Sequence, residues 1–529
     1  MLFIVASGRL LLTATFWLLA LALLGSPRVA PGQGSRIAAT ALSLPGWCYI
    51  RFVLRLLRRH CGYFLGVALA GLTLRLLFLF YFPAITDDSR TYADFATNWL
   101  QHGIYGQTQA GQIVPTDTRL PGYPAFVAVI FTVFGVGTFR ALMLAQILLD
   151  LGTCIIIADL AHRTVSDRAA RIAFALAALC PFLANYAAAA LTETLEIFFT
   201  AAALDCVAAG LGLQNEGQAA WKAWVGAGAA TAACILLRPD GGIVLIGIGA
   251  YFLILMWKRW RGQKPVLPVV QAGCWIALVA LAPLLPWTIR NFRTLHHFQP
   301  LAPRYATDQD ELAMRGFNRW VKTWIADYAS VEEVYWMVPG DKIDPDKLPS
   351  RAFDTETQQE TTLTLLDDYN ETQEMTPSLD AGFGGVAAER VRAHPLRYYL
   401  MLPMLRIADM WLRPRTEILP PDVRWWEFDD EPRSSVMAVT LGVLNLLYVG
   451  MALAGIVRRR SAVRYAGLLL GFVVLRSLFL GTLENPEPRY TLECYPVVIL
   501  FSSFFIAQAS WLSGRDARQT AAGTAALLG

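Results

Sequence analysis

Two neighbouring carboxylates, Asp87 and Asp88, begin a segment whose residue types suit chemistry at a membrane boundary. The apolar residues of 92–100 recur at helical spacing, which predicts an amphipathic helix on the membrane surface that ends near Gly103. A carboxylate at such a helix N-terminus can cap the helix and offset its dipole, or it can serve as a general base. The two roles are compatible, because the helix dipole keeps a carboxylate ionised, and the residues alone leave both open.

A cation and a tight turn follow the two aspartates on the same polar segment. Arg119 precedes the sequence Pro-Gly-Tyr-Pro, which contains Tyr123 and introduces a short apolar run. An arginine at a membrane boundary commonly anchors the chain by placing its head group in the interface. Its planar guanidinium also suits two phosphate oxygens, so Arg119 is a candidate phosphate ligand.

Further ionisable residues stand at the ends of later apolar runs. Each alone is typical of an interfacial anchor or a turn, whereas ionisable groups at membrane depth are costly and usually functional. We therefore expect the set to meet at one face of the membrane and to bind substrate. Its members are Glu193, Arg238, Arg290, Glu487, Arg489 and Tyr490.

The composition requires a membrane to cover the chain. Of its 529 residues, 55% are hydrophobic and 16% are charged, and the mean hydropathy is +0.42. Soluble domains carry about 25% charged residues, so this chain lacks the polar surface that water demands. The net charge of +4 gives no argument for a nucleic-acid partner. The sequence predicts an all-α polytopic membrane protein.

Cysteine and histidine usage predicts neither a disulfide framework nor a metal site. Nearly all of the eight cysteines lie in or beside apolar runs, and no pair has the spacing of zinc ligands. The six histidines are scattered, and adjacent residues such as His296 and His297 do not face one ligand. We expect no metal and no cofactor.

Short basic clusters set the expected topology, since cytoplasmic loops are rich in Lys and Arg. The cluster 51–60 places the start of the first span inside, so the loop 83–121 lies outside. The run 122–135 is too short to span and is predicted to be interfacial or re-entrant. About ten spans result, near 62–82, 138–161, 169–190, 192–212, 223–237, 241–257, 267–287, 435–457, 463–482 and 491–512.

Four regions are predicted along the chain. Residues 1–61 hold an apolar segment and a basic cytoplasmic stretch, and 62–290 form a transmembrane catalytic module. Residues 291–433 form a large extracytoplasmic loop region, whose tryptophans either pack or stack on sugar rings, and 434–529 form a C-terminal transmembrane module. The run 1–24 is compatible with a signal-like segment, an extra span or an over-extended start.

The ordered motifs resemble those of GT-C-fold glycosyltransferases, in particular protein O-mannosyltransferases and the lipid A aminoarabinose transferase. The first outer loop carries Asp-Ser-x-x-Tyr from Asp88 to Tyr92, then Arg-x-Pro-Gly-Tyr-Pro from Arg119. Thr-Glu, Leu-Arg-Pro, Pro-Trp-Thr-Ile-Arg-Asn and Glu-x-Arg-Tyr follow in the same order as in those families. The resemblance covers roughly 62–512, and the first loop and Pro-Trp-Thr-Ile-Arg-Asn are its more specific parts.

This resemblance implies a metal-independent, inverting transfer from a polyprenyl-phosphate-linked sugar to a lipid, glycan or protein hydroxyl. It makes Asp88 the general base, because Tyr92 lies four residues beyond it, and leaves Asp87 as a neighbour at the same site. Arg119 stands where the aminoarabinose transferase has a lysine that binds the carrier phosphate, and Arg489 is expected to share that work. Glu193 matches a second outer carboxylate. The pair Asp-Asp, where those families have Asp-Glu, leaves sugar and acceptor open.

The resemblance also implies a bacterial inner membrane protein whose active site faces the periplasm. Two other classes remain as alternatives. A transporter or flippase for a lipid or sugar would place ionisable residues at mid-membrane and would show paired broken helices. A membrane scaffold would tolerate the loss of both Asp88 and Arg119.

Overall fold

The computed structural model describes residues 58–307, 311–427 and 432–508. The apolar run 1–24 and most of the predicted cytoplasmic stretch therefore lie outside the described residues. The helices are α1 (Cys61–Tyr81), α2 (Asp87–His102), α3 (Gly122–Phe134), α4 (Phe139–Thr164), α5 (Asp167–Ala178), α6 (Pro181–Ala187), α7 (Glu193–Asn215), α8 (Trp221–Leu237), α9 (Gly242–Arg261), α10 (Leu267–Leu281), α11 (Leu284–Leu295), α12 (Arg315–Lys322), α13 (Glu356–Thr372), α14 (Pro377–Ala393), α15 (Leu402–Leu412), α16 (Pro432–Arg459), α17 (Ala466–Leu480) and α18 (Tyr495–Gln508). Shorter helical turns are Pro239–Gly241, Tyr328–Ser330, Val331–Tyr335, Pro345–Lys347, Ser350–Ala352, Arg397–Met401, Arg460–Ala462 and Pro488–Cys494.

The helices fit the predicted polytopic membrane architecture. Within the described ranges, 7 helices are long and apolar enough to cross a membrane, and the bent pair α5–α6 makes up to 8. The shorter apolar helices α8 and α17 occupy the two remaining predicted spans. The all-α fold class is confirmed, and the prediction of about ten crossings is consistent with these helices.

The segment between α1 and α4 contains one feature that was not predicted, a hairpin, and one that was, a short helix. A two-stranded antiparallel hairpin, β1 (Gly106–Gln109) and β2 (Gln112–Pro115), follows α2, although no strand was predicted. Both residues of its turn, Ala110 and Gly111, have positive φ, as type I′ hairpin turns require. Helix α3 has 13 residues, about 20 Å of helix, so it is too short to cross the apolar core of a bilayer.

A buried ion pair fastens α1 to α4 inside the helical bundle. Arg75 Nε donates to Asp150 Oδ2 over 2.6 Å, and both side chains are almost fully buried. The other N–H groups of Arg75 reach the carbonyls of Gly71, Ala177 and Ala178 and the Cys154 sulfur. Since every donor of the guanidinium has a protein acceptor, the charge is held as a structural tie between helices.

The polar region after α11 has a hydrophobic core of its own. Trp320 and Trp324 are 0% and 1% exposed, and they pack with Phe317 and Phe383 from α12 and α14. These two tryptophans therefore pack rather than stack on sugars, whereas Trp336 and Trp426 remain exposed.

Segment 394–414 is amphipathic, and its arginine side chains face the rest of the protein. Arg406 is fully buried and donates to the carbonyls of Lys322, Ile325 and Gly481. Arg397 makes two 2.7 Å hydrogen bonds to Asp354. Large apolar side chains face outward instead, as in a helix that lies at a membrane interface. They are Leu396, Tyr399, Leu400, Met401, Met404, Leu405 and Leu412.

The buried pair between α1 and α4 predicts a non-additive stability pattern. Arg75→Met alone and Asp150→Leu alone each leave an uncompensated buried charge, so each should cost about 3–5 kcal/mol. The double variant removes both charges and should recover much of that loss. Thermal unfolding in detergent measures the three variants. Additive losses in the double variant would show that the two side chains do not compensate each other.

Candidate active site

The N-terminus of α2 is capped by Thr86, not by either aspartate. The Ser89 N–H donates to Thr86 Oγ1, and the Thr86 N–H donates to Ser89 Oγ, so the two residues form a capping box. Asp87 and Asp88 occupy the first turn, where the helix dipole favours a carboxylate. The capping role left open by the sequence is therefore filled, and both carboxylates are available for other contacts.

The two aspartates point in different directions. The Asp87 side chain is 97% exposed and forms an ion pair with Arg90 on the same helix. The Asp88 side chain is 37% exposed and faces Arg119 and Arg489. Only Asp88 therefore joins the set of charged residues that the sequence analysis expected to meet.

The Asp88 carboxylate lies between two guanidinium groups. Arg119 Nη2 is 3.2 Å from Oδ1, and Arg489 Nη2 is 3.8 Å from Oδ2, so each carboxylate oxygen faces a different cation. The two arginines come from loops 370 residues apart in the chain, one before α3 and the other before α18. Tertiary packing alone brings them to one carboxylate.

Arg489 is itself surrounded by three carboxylates. Its Nε is 2.5 Å from Glu487 Oε2, its Nη1 is 3.5 Å from Glu193 Oε1, and its Nη2 faces Asp88. The Glu487 and Glu193 side chains are 2% and 4% exposed, against 14% for Arg489. The Glu487 carboxylate also accepts the Tyr490 hydroxyl. Glu487 and Tyr490 therefore lie around Arg489, which alone of the three faces Asp88.

A second layer of charge lies behind this centre. Arg238 is 4.0 Å from Glu193, 3.4 Å from Glu196 and 3.0 Å from Asp240, measured between ion-pair atoms. Its guanidinium also stacks over the Tyr490 ring at 4.5 Å. Arg238 therefore contacts both Glu193 and Tyr490, which themselves adjoin Arg489.

Sequence reasoning missed several members of this second layer. Arg476 pairs with Asp240 at 3.1 Å and also with Glu493. Glu196 lies three residues after Glu193 on α7, on the same helix face, so its spacing was a usable signal. No comparable signal joined Arg476 to Asp240, because α17 and the α8–α9 turn are distant in sequence.

Tyr92 and Tyr123 are buried beside the charged centre. Their rings meet edge to face with centroids 4.9 Å apart. The Tyr123 hydroxyl donates to Gln146 Oε1 over 2.7 Å, and the side chain is fully buried. Tyr123 therefore packs inside the protein and presents no exposed surface to a substrate. Burial raises the pKa of Tyr92, and the negative charge of Asp88 raises it further. Tyr92 therefore stays neutral beside Asp88.

Arg290 lies beside the hairpin rather than beside Asp88. It donates to the carbonyls of Thr116, over 2.9 Å, and of Tyr105. The Tyr105 hydroxyl in turn donates to the Arg119 carbonyl over 2.9 Å. Arg290 thus stabilises the backbone on either side of the hairpin, close to Arg119.

Arg119 remains a cation in this setting. Burial by itself lowers the pKa of Arg119, but the neighbouring Tyr92 and Asp88 outweigh burial and raise it. Its side chain is 27% exposed, so a ligand at the membrane boundary can reach it. Within the described ranges, no group of three or more His, Cys, Asp or Glu residues has a geometry that would hold a metal ion.

A family comparison covers the centre of this site. Residues 117–287 match the pattern of the dolichyl-phosphate-mannose-protein mannosyltransferase family. The resemblance is confirmed. The matched segment contains Arg119, Glu193 and Arg238, whereas Asp88 and Arg489 lie outside it. It supports the interpretation of the chain as a membrane glycosyltransferase. No curated protein sequence matches the chain.

Three solved structures also overlap with the chain, each at low identity. An oligosaccharyltransferase from Archaeoglobus fulgidus, tethered to an acceptor peptide, has 12% identity and a TM-score of 0.48, with 84% of this chain and 49% of that one covered. The Archaeoglobus fulgidus oligosaccharyltransferase AglB, in complex with an inhibitory peptide and a dolichol-phosphate, has 11% identity and a TM-score of 0.49 over 89% and 52%. ArnT from Cupriavidus metallidurans, bound to undecaprenyl phosphate, has 15% identity and a TM-score of 0.35 over 83% and 78%. The chain thus spans about half of the length of the archaeal structures.

The turn that follows Arg119 is sterically fixed, and this yields a prediction. A Cβ at Gly122 would lie 2.5 Å from the Leu236 carbonyl oxygen and 2.8 Å from the Leu237 nitrogen. Gly122→Ala should therefore cost about 1–3 kcal/mol, as overpacking does. Gly66, which has open space around its Cβ position in α1, is the matched control.

Gly66→Ala should leave stability unchanged or raise it by up to about 1 kcal/mol, since alanine favours a helix. Thermal unfolding of both variants in detergent makes the comparison. Equal melting temperatures for the two variants would contradict the close contact at Gly122.

Proposed function

We propose that the chain transfers a sugar from a polyprenyl-phosphate-linked donor to a hydroxyl group outside the cytoplasm, with Asp88 as the general base. One observation carries the proposal: a partly exposed carboxylate lies between two guanidinium groups, Arg119 and Arg489. A base beside a pair of cations matches the two needs of this reaction, which are removal of a proton and stabilisation of a phosphate leaving group.

The proposed step balances as a single displacement. The acceptor hydroxyl gives its proton to an Asp88 oxygen while its oxygen attacks the anomeric carbon of the sugar. The bond from that carbon to the carrier phosphate breaks, and the electron pair leaves with the phosphate. Attack from the face opposite the leaving group inverts the anomeric centre. Arg119 and Arg489 stabilise the polyprenyl phosphate that is released.

Donor binding would also change the surroundings of Asp88. Guanidinium groups bind phosphate oxygens in the same planar geometry in which they bind a carboxylate. When a phosphate binds Arg119 and Arg489, the two cations divide their hydrogen bonds between the phosphate and Asp88. The carboxylate oxygens are then freer to accept a hydrogen bond from the acceptor hydroxyl.

The position of the site supports an active site that faces away from the cytoplasm. Helix α9 ends in Lys258, Arg259 and Arg261, at the end of the helix opposite to Asp240. Basic residues mark cytoplasmic ends of spans, which supports an outer position for the Asp88 centre. We propose a bacterial inner membrane location with the site open to the periplasm, and an acceptor that is a lipid, a glycan or a protein.

The alternative of a transporter or flippase lacks a comparable observation. Such a protein would use ionisable side chains along a path through the membrane. The buried pair of Arg75 and Asp150 is the natural candidate, but each N–H of Arg75 already has a protein acceptor. The charged residues around Asp88 instead surround one point at the outer end of the helices.

The two aspartates allow a sharp test of the base. Asp88→Asn should lower the rate of transfer by about 10²–10⁴-fold, because an amide cannot take the proton. Asp87→Asn changes a neighbouring side chain that faces solvent, so it should keep most of the wild-type rate. The measurement is sugar transfer from a panel of polyprenyl-phosphate sugars to envelope lipid, glycan and peptide acceptors in detergent. If Asp88→Asn kept the wild-type rate, or if Asp87→Asn alone lost it, the assignment of the base would be wrong.

The arginines allow a separate test of carrier binding. Arg119→Gln should raise the inhibition constant of free polyprenyl phosphate by about tenfold or more, because a charge-assisted bond to phosphate is lost. Arg90→Gln removes a cation from the exposed face of α2 and is the matched control, with an unchanged constant expected. Inhibition constants that agree for Arg119→Gln and wild type would exclude Arg119 as a phosphate ligand.

A further inference from the structure

A cavity of about 520 Å³ opens in the polar region after α11. This volume lies within the range of small-molecule sites, about 300–1,000 Å³. Four cationic side chains line the cavity, against a single carboxylate among the described residues. The charged lining residues are Arg304, Arg315, Arg319, Lys322 and Glu484. The surplus of positive charge favours an anionic ligand.

Helix α12 supplies three of these cations along one face. Arg315, Arg319 and Lys322 follow helical spacing, and Phe317 and Trp320 on the opposite face are buried in the core of this region. A cation in the first turn of a helix opposes the helix dipole, and like charges four residues apart repel each other. Arg315 and Arg319 therefore lower the stability of α12 in the free protein, and a bound anion would offset that loss.

Glu484 compensates only part of the charge in the cavity. Its Oε1 lies 2.7 Å from Arg304 Nη2 and 3.5 Å from Lys322 Nζ, and its side chain is 9% exposed. Arg315 and Arg319 are exposed, and neither forms an ion pair with a carboxylate of the described residues. These two guanidinium groups are therefore available to a ligand that enters the cavity.

One wall of the cavity belongs to segment 394–414, whose outward face is apolar. Tyr398 lines the cavity, and its neighbours Leu396, Tyr399 and Leu400 are 76%, 69% and 62% exposed. Basic clusters beside a membrane-facing surface attract anionic lipid head groups. A neutral sugar would leave the cations uncompensated, and a free anion would leave the apolar surface uncovered. The combination fits an amphiphile with a negatively charged head group.

The cavity is separate from the Asp88 centre, although the two are close along the chain. Within the described ranges, no ion pair joins the charged lining residues to Asp88, Arg119 or Arg489. Glu484 precedes Glu487 by three residues, which span about 11 Å at full extension, and Glu487 pairs with Arg489. The cavity is therefore a second candidate site for an anion, additional to the phosphate site of the proposed function.

We propose that this cavity binds the anionic head group of a membrane lipid, with Arg315 and Arg319 as its direct ligands. Arg304 and Lys322, which Glu484 holds in place, complete the positive wall. The apolar chains of the lipid lie along the outward face of segment 394–414. This inference goes beyond the proposed function and does not depend on it, since it rests on the cavity and its charges.

Binding of lipids to the full chain in detergent tests the proposal without any need for transfer activity. Native mass spectrometry compares phosphatidylglycerol, which has a net negative charge, with phosphatidylcholine of the same acyl chains, which has none. Wild type should bind phosphatidylglycerol about tenfold more tightly or better. The double variant Arg315→Gln/Arg319→Gln should raise the dissociation constant of phosphatidylglycerol by about tenfold, because two cations beside the head group are lost. Binding of phosphatidylcholine should not change.

Arg392→Gln is the matched control, because it removes an exposed arginine of α14 that does not line the cavity. Its dissociation constant for phosphatidylglycerol should stay within about twofold of wild type. Arg315 and Arg319 are exposed, so the double variant should fold, which its melting temperature checks. Each single variant provides the answer if the double variant unfolds.

Three outcomes would overturn the proposal. Equal binding of the two lipids by wild type would show that the head-group charge is not recognised. An equal loss in Arg392→Gln and in the double variant would show attraction to the whole surface rather than to the cavity. Displacement of phosphatidylglycerol by an equal concentration of inorganic phosphate would assign the cavity to a free anion.

Discussion

The arrangement of the site depends on one guanidinium group, that of Arg489, whose three nitrogens each face a different carboxylate. A carboxylate removed from water is tolerated only when a cation compensates it, and Arg489 does so for Asp88, Glu193 and Glu487 together. Asp88 lies in α2, Glu193 in α7 and Glu487 just before the turn Pro488–Cys494, so one side chain joins three parts of the fold. The geometry of the site follows from this compensation.

Other buried arginines extend the same principle around the site. Arg238 and Arg476 share Asp240, and Arg415 holds the turn that bears Arg489 through neutral acceptors. Each of these contacts is costly to form in isolation and rigid once complete, because no water replaces a lost partner. In the proposed reaction this rigidity orients the cations before the carrier phosphate arrives.

Much of the fold was predictable from local patterns. Apolar runs and basic clusters predicted the spanning helices, because a helix must be about 20 apolar residues long to cross the bilayer. The spacing in 92–100 predicted α2, and the structure adds Thr86 and Ser89 as its cap. The hairpin after α2 was not predicted, although Ala110 and Gly111 carry the turn, because its strands have 4 residues each and weak alternation. The placement of Asp88 beside Arg119 was expected from their shared loop, and the catalytic role of Asp88 stays a prediction.

The sequence by itself determined the membrane class of the protein, the set of charged residues expected to meet and the choice of Asp88 as the candidate base. Only the tertiary structure decided which of those residues meet. It turned Asp87 to solvent, gave Tyr123 a buried partner in Gln146, and set Arg290 against the hairpin backbone. It also brought Arg476 to Asp240 and Glu493. The physical reason is that helical spacing and hydropathy act over a few residues, whereas charge compensation in a dry interior is settled between helices that are hundreds of residues apart.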